Sequence, residues 1–210
     1  MKLYGSTRSP FSRKALVAVR ELGLIDRIEF KPVVVSQTET DDELARIHPL
    51  GQIPALLLDD GRVIHDSFVI CEYLDRLVAG GLVPAGGDAR WEVLSRHALG
   101  QALLETLVKL FGERRRASDP LQPAYVEAFS RKFFRGLAPL DAHYRSATHS
   151  FDVGDIAVGC VLSYADFRFP QQAWRSGHPS LAAYYAQIAE RPSMRATCLT
   201  GEPTAMLRVP

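Results

Sequence analysis

The sequence predicts an α/β domain followed by an all-helical domain. Three observations lead there. Short β-branched runs alternate with helical patterns over residues 1–79. A stretch rich in glycine and proline fills residues 80–87 and reads as a linker. From residue 88 to the end at 210, no strand run appears and the apolar patterns have helical period.

Lys2 to Tyr4 is the first strand. Ser9-Pro10 reads as a helix start, a capping residue followed by proline at the first helical position. Phe11, Ala15, Ala18, Val19 and Leu22 follow at spacings of three and four, one buried face, and Gly23 ends the helix. Ile28 to Val35 is rich in β-branched residues and reads as the second strand. Asp41 to Ile47 is a short helix. The loop His48-Pro49-Leu50-Gly51-Gln52-Ile53-Pro54 leads into a hairpin, Ala55–Leu58 and Arg62–Ile64, around Asp59-Asp60-Gly61. Ser67 opens a helix over Phe68 to Val78. The order is β-α-β-(α)-β-β-α. Its first part needs a right-handed crossover between parallel strands, and its last two strands pair antiparallel.

In the second half, helices are expected over Trp91–Glu113, Tyr125–Tyr144, Ile156–Phe167 and Leu181–Glu190, with little pattern after Ser193. Phe151-Asp152-Val153-Gly154-Asp155-Ile156 has the form of a capping box with a hydrophobic staple. Asp152 is the N-cap, Asp155 the third helical residue, and Phe151 packs on Ile156. The stripe Leu104, Leu107 and Phe111 suits either core or the wall of a cleft between the domains.

Composition narrows the function. The 25 Lys+Arg and 24 Asp+Glu leave no field of one sign to hold nucleic acid or an anionic membrane. Arg114-Arg115-Arg116 reads as a solvated helix end. No apolar run approaches the ~18 residues of a membrane span, and MKLYGSTRSP has no apolar signal core. Cys71, Cys160 and Cys198 are an odd number at wide spacing, without metal-ligand pairs. A cytoplasmic, reduced, metal-free protein is expected, with Cys71 and Cys160 packed as small hydrophobes.

Three pieces carry chemistry. Ser9-Pro10-Phe11-Ser12 has the C-P-x-C spacing of thiol–disulfide enzymes, with both sulfurs replaced by hydroxyls. Taken alone, Ser9 is a helix cap. Ile53-Pro54, before a short apolar strand, suits a cis bond. In that geometry the N–H and C=O of Ile53 point outward, open to a short extended peptide. Asp66-Ser67 stands at a helix start, where free N–H groups and partial positive charge suit a carboxylate. The Ser67 hydroxyl adds to that cradle, and Asp66 accepts from an ammonium.

In order and spacing these pieces resemble the glutathione transferases, over nearly the whole chain. The P-L-G-Q-I-P loop, the D-S pair, the glycine-rich linker, the all-helical second half and F-D-V-G-D-I-A all take part. The resemblance points to serine-type bacterial members with S-P-F-x-R-K near the N-terminus, and more loosely to the plant tau class. It implies a thioredoxin-like N-terminal domain and an all-α C-terminal domain. It implies that Ser9 donates its hydroxyl to the glutathione sulfur and favours the thiolate. Ile53 would pair with the cysteinyl backbone, Asp66 and Ser67 would hold the γ-glutamyl end, and Gln52 and His48 would line the glycyl side. The second substrate would be a small electrophile, the role detoxification, and the assembly a homodimer. Neither serine can form a disulfide, so dithiol redox chemistry is not expected. A non-catalytic binding or regulatory protein on the same fold, or a glutathione-dependent peroxidase or isomerase, is the alternative. Three positions depart from the family pattern: His48 stands where asparagine is more usual, Asp152 where serine or threonine is, and Asp66 where glutamate is.

Overall fold

The computed structural model describes residues 1–36, 40–114, 123–146, 148 and 150–200. Its sheet has the order β2-β1-β3-β4. β1 (Lys2–Gly5) pairs parallel with β2 (Glu29–Pro32) and antiparallel with β3 (Ala55–Leu57), which pairs antiparallel with β4 (Val63–Ile64). β2 is shorter than the Ile28–Val35 run suggests. Among the described residues its one partner is β1, which ends at Gly5 opposite Pro32, and beyond one last bond from Val33 N–H to Gly5 O the chain leaves the sheet.

Strand alternation sends successive side chains to opposite faces. Leu3 and Leu56 pack with Ala15 and Val19 of α1 (Pro10–Glu21) and with Ile70 and Leu74 of α3 (Ser67–Val78). Tyr4 and Ala55, one residue along, pack with Leu44 of α2 (Asp42–Ile47). Two helices therefore cover one face and one short helix the other. α1 stops as its sequence predicts: Gly23 has φ +65°, a left-handed conformation that glycine adopts without strain, and its N–H bonds to Arg20 O.

The second half comprises α4 (Gly87–Glu113), α5 (Pro123–Tyr144), α6 (Val153–Arg168), α7 (Trp174–Gly177), α8 (Pro179–Ala189) and α9 (Pro192–Arg195). α4 begins four residues before Trp91, inside the glycine-rich stretch, where no apolar period marks it. α6 is apolar on all sides and central: Ile156, Ala157, Val158, Cys160, Val161 and Leu162 are all 0% exposed. At Gly100 of α4 the two helices nearly touch, since an added Cβ would lie 2.9 Å from the Ala157 Cβ.

The capping box of α6 is present in full. Asp152 Oδ1 accepts from the N–H groups of Gly154 (2.8 Å) and Asp155 (3.1 Å), and Asp155 Oδ2 accepts from Asp152 N–H (3.0 Å). Arg96 pairs with Asp152 and stands 3.5 Å from Asp155, while the Tyr144 hydroxyl donates to Asp155 at 2.7 Å. Phe151 packs on the cluster that contains Ile156.

Two short helices, α7 and α9, escape the sequence pattern, and Thr200, beyond Ser193 where little pattern was expected, is tied back to the first half. Thr200 N–H donates to Thr7 O (3.2 Å), and the two threonine hydroxyls meet at 2.8 Å. Leu104 and Leu107 belong to the core, at 0% and 2% exposure, leaving only Phe111 of that stripe half-buried. Arg114 ends α4 with its guanidinium 4.8 Å from the Phe169 ring, whereas Arg115 and Arg116 lie outside the described residues. Among the described residues, no helix is long and apolar enough to cross a membrane.

Candidate active site

Strand register brings three chain turns to one end of the sheet. Tyr4 pairs with Ala55, so β1 leaves toward Ser9 where β3 enters from Ile53-Pro54. Leu56 pairs with Ile64, so β4 leaves toward Asp66-Ser67 at the same end. Residues far apart in sequence thus share one edge of the α/β layer.

Ser9 is half-buried and caps α1, accepting from Ser12 N–H at 3.2 Å. Capping uses a lone pair. The hydroxyl proton stays available, because a serine oxygen can accept and donate at once. Being a cap and being a donor are therefore compatible roles. Ser12 is 0% exposed, and its Oγ accepts from Ser6 N–H at 3.2 Å beneath Gly5, so it holds the β1–α1 loop.

The Ile53–Pro54 bond is cis. β3 pairing starts at Ala55, which leaves half-buried Ile53 just outside the ladder. Gln52 beside it is exposed.

The helix start at residues 66 and 67 needs a correction. Asp66, not Ser67, is the N-cap of α3. Its Oδ1 accepts from Phe68 N–H (2.9 Å) and Val69 N–H (3.2 Å). Aspartate and serine both cap well, and aspartate stands one residue earlier. Two of the helix's first N–H groups are thereby taken. Of the donors expected to cradle a carboxylate, the Ser67 N–H and hydroxyl remain, and Asp66 Oδ2 takes no part in the cap. Ser67 itself is 2% exposed.

His48 faces into its own loop. It is buried, its Nδ1 accepts from Leu50 N–H at 3.1 Å, and its ring stands 4.3 Å from that of His65. Burial, then the neighbouring His65, push its pKa below the ordinary histidine value. Cys71 and Cys160 are 0% exposed, and burial pushes the Cys71 thiol up to about 12, so neither is a nucleophile.

Sequence reasoning missed a polar cluster behind this edge. Lys14 Nζ stands 3.0 Å from His97 Nε2 and donates to Gln101 Oε1 at 2.5 Å. The His97 ring lies 4.5 Å from that of Phe68, next to Ser67. Burial first, then Lys14, pull His97 down to about 3. Next to Lys14, Arg13 donates to Thr197 Oγ1 (3.4 Å), Met194 O (2.9 Å) and Ser163 Oγ. A signal exists in the sequence: Lys14 is three residues after Phe11 and four before Ala18, on the apolar stripe itself.

Residues 8–77 match the glutathione S-transferase N-terminal domain and residues 123–187 its C-terminal domain. A glutathione transferase family member of Pseudomonas fluorescens Pf-5, solved with bound glutathione, is 37% identical. It superposes with a TM-score of 0.89 over 95% of this chain and 99% of that one. The chain belongs to the glutathione transferase family. Another transferase, from Methylobacillus flagellatus KT and also solved with glutathione bound, is 34% identical with a TM-score of 0.84, over 95% of this chain and 99% of that one. The uncharacterized GST-like protein YibF of Escherichia coli K12 is 27% identical over 202 residues, 94% of this chain and 98% of its own length. The transferase architecture, a thioredoxin-like β/α domain followed by a helical one, is thus established for this chain.

Proposed function

We propose that the protein is a serine-type glutathione transferase that ionises the glutathione thiol for attack on a small electrophile. The observation that carries this reading is that Ser9 caps α1 as an acceptor; its proton is then free to serve a sulfur at the positive end of that helix.

Glutathione supplies the thiol that becomes the nucleophile. The chain's own groups bind and ionise it. Ile53 N–H and C=O pair with the extended cysteinyl backbone. Ser67 N–H and hydroxyl hold the γ-glutamyl carboxylate, and Asp66 Oδ2 accepts from its ammonium. Gln52 lines the glycyl side, and His48 shapes the loop that carries Gln52. Ser9 O–H donates to the sulfur, so the thiol proton is lost to water more readily. The carbon–sulfur bond then forms as the electrophile's leaving group departs with its electron pair. In this reading residues 1–79 hold glutathione, and the helical domain from residue 88 supplies the wall for the electrophile. The protein acts in the cytoplasm, in detoxification, as a homodimer.

The test is an ultraviolet difference titration with reduced glutathione near pH 6.5, following thiolate absorbance. Thiolate appearing on binding supports the proposal. No binding at millimolar glutathione refutes it. Light scattering at micromolar protein checks the homodimer, and a monomer rejects that part alone.

A further inference from the structure

Two consecutive side chains of α1, Arg13 at 4% exposure and Lys14 at 0%, bury their charge without a carboxylate. Among the described residues, every hydrogen-bond partner of the two is neutral: Thr197, Ser163 and the Met194 carbonyl for Arg13, His97 and Gln101 for Lys14. Arg96, the other buried arginine, is treated differently by the fold and faces both Asp152 and Asp155. Burying a cation among neutral groups is costly, and hydrogen bonds recover only part of that cost.

We infer that Arg13 and Lys14 form a built-in positive charge behind Ser9 that favours an anion at the sulfur position. The inference rests on the transferase reading and deepens it. Neither cation touches the sulfur. Both act through the interior, in line with the positive end of the helix they belong to.

Geometry supports this. Lys14 is five residues past the Ser9 cap, about 7.5 Å along the helix axis. Side chains on a helix lean toward its N-terminus, which brings the ammonium nearer than its Cα. Being buried, the charge is little screened by salt. An ammonium only donates, so His97 Nε2 accepts from it. Each element packed on Lys14 contributes to its state. Burial pushes it below the ordinary lysine value. Asp66 at α3 and Glu105 on α4 pull the other way, while the Cys71 and Cys160 thiols, both raised by burial, and His97 on α4 are neutral at pH 7. A thiolate at Ser9 joins the groups that keep Lys14 protonated, and by linkage Lys14 keeps the thiolate ionised.

A plain tether between the two domains would use the same contacts. Two variants separate the ideas. Lys14→Met removes the charge and keeps the length of the side chain. Gln101→Glu leaves Lys14 in place and sets a carboxylate where the amide oxygen already stands 2.5 Å from the ammonium. The readouts are the pKa of the bound glutathione thiol, from thiolate absorbance against pH, and the affinity for S-methylglutathione, which has no thiol to ionise. Both variants are expected to raise the bound-thiol pKa by about one unit. S-methylglutathione affinity should stay within about twofold, and the shift should survive ~0.5 M salt. Unchanged thiol pKa in both variants, with S-methylglutathione still bound, overturns the inference and leaves a tether. If wild type binds no glutathione, the transferase reading falls and the inference falls with it. If Lys14→Met does not fold, Gln101→Glu decides alone.

Discussion

Ser9 is expected to do two separable things, and a pair of substitutions pulls them apart. A free thiol titrates near 8.5, so about 1% is ionised at pH 6.5, and a shift of two units, worth about 2.7 kcal/mol, makes half of it thiolate. A hydrogen bond to a charged acceptor supplies about 1.5–3 kcal/mol, or roughly one to two of those units. The helix end supplies most of the rest. Ser9→Ala removes the acceptor now 3.2 Å from Ser12 N–H and the donor together. Stability should fall by about 1 kcal/mol for the lost cap, and the bound-thiol pKa should rise by one to two units. Ser9→Asp caps as well as serine but has no proton to give near pH 7 and adds repulsion. Its stability should match wild type, while its thiolate signal falls further than that of Ser9→Ala. Urea unfolding reads the first quantity and thiolate absorbance against pH the second. If Ser9→Asp ionises bound glutathione as wild type does, the hydroxyl proton is irrelevant and the reasoning is refuted.

Further outcomes follow from the same contacts. Asp152→Ala should cost about 3–5 kcal/mol in urea unfolding, since it strips a cap and removes the carboxylate paired with buried Arg96; Asp152→Ser should restore only the cap, about 1 kcal/mol. A thiol reagent should modify Cys198 alone in the native protein and all three cysteines after unfolding, and Cys198→Ser should silence the native reaction. His97 is pulled down to about 3 in the folded state against about 6.5 unfolded, so its contribution is complete above pH ~6.5 and is lost as pH falls toward 3. Chemical denaturation across that range should show a shallower loss of stability in His97→Gln than in wild type, and equal slopes would reject the assignment.

Much of this was legible where local rules and packing agree. α6 announces itself twice, through Asp152 and Asp155 at its start and through an apolar run that only a central helix can carry. The sheet order follows from two short crossovers and one hairpin. Legibility ends where partners decide. The length of β2 depends on β1, a four-residue strand at the other end of the pairing. α7 and α9 have four residues each, too few to display a period. At residues 66 and 67 two good caps stand side by side, and sequence cannot choose between them. Lys14 is the clearest case. A lysine within an apolar stripe is normally solvated at its tip, and only His97 and Gln101, 83 and 87 residues away, make its burial possible.

The partners of α1 also set a timetable. Arg13 bonds to residues 150 and 181 positions later in the chain, and Glu21 receives Arg191 from 170 positions later. A ribosome adding about 5–20 residues per second makes Arg13 roughly 9–36 s before Met194 exists. A helix made early is thus finished only once residues 163 to 194 have been added. Until then Arg13 and Lys14 face water, and the half that holds Ser9 waits, incomplete, for partners 150 and 181 residues downstream.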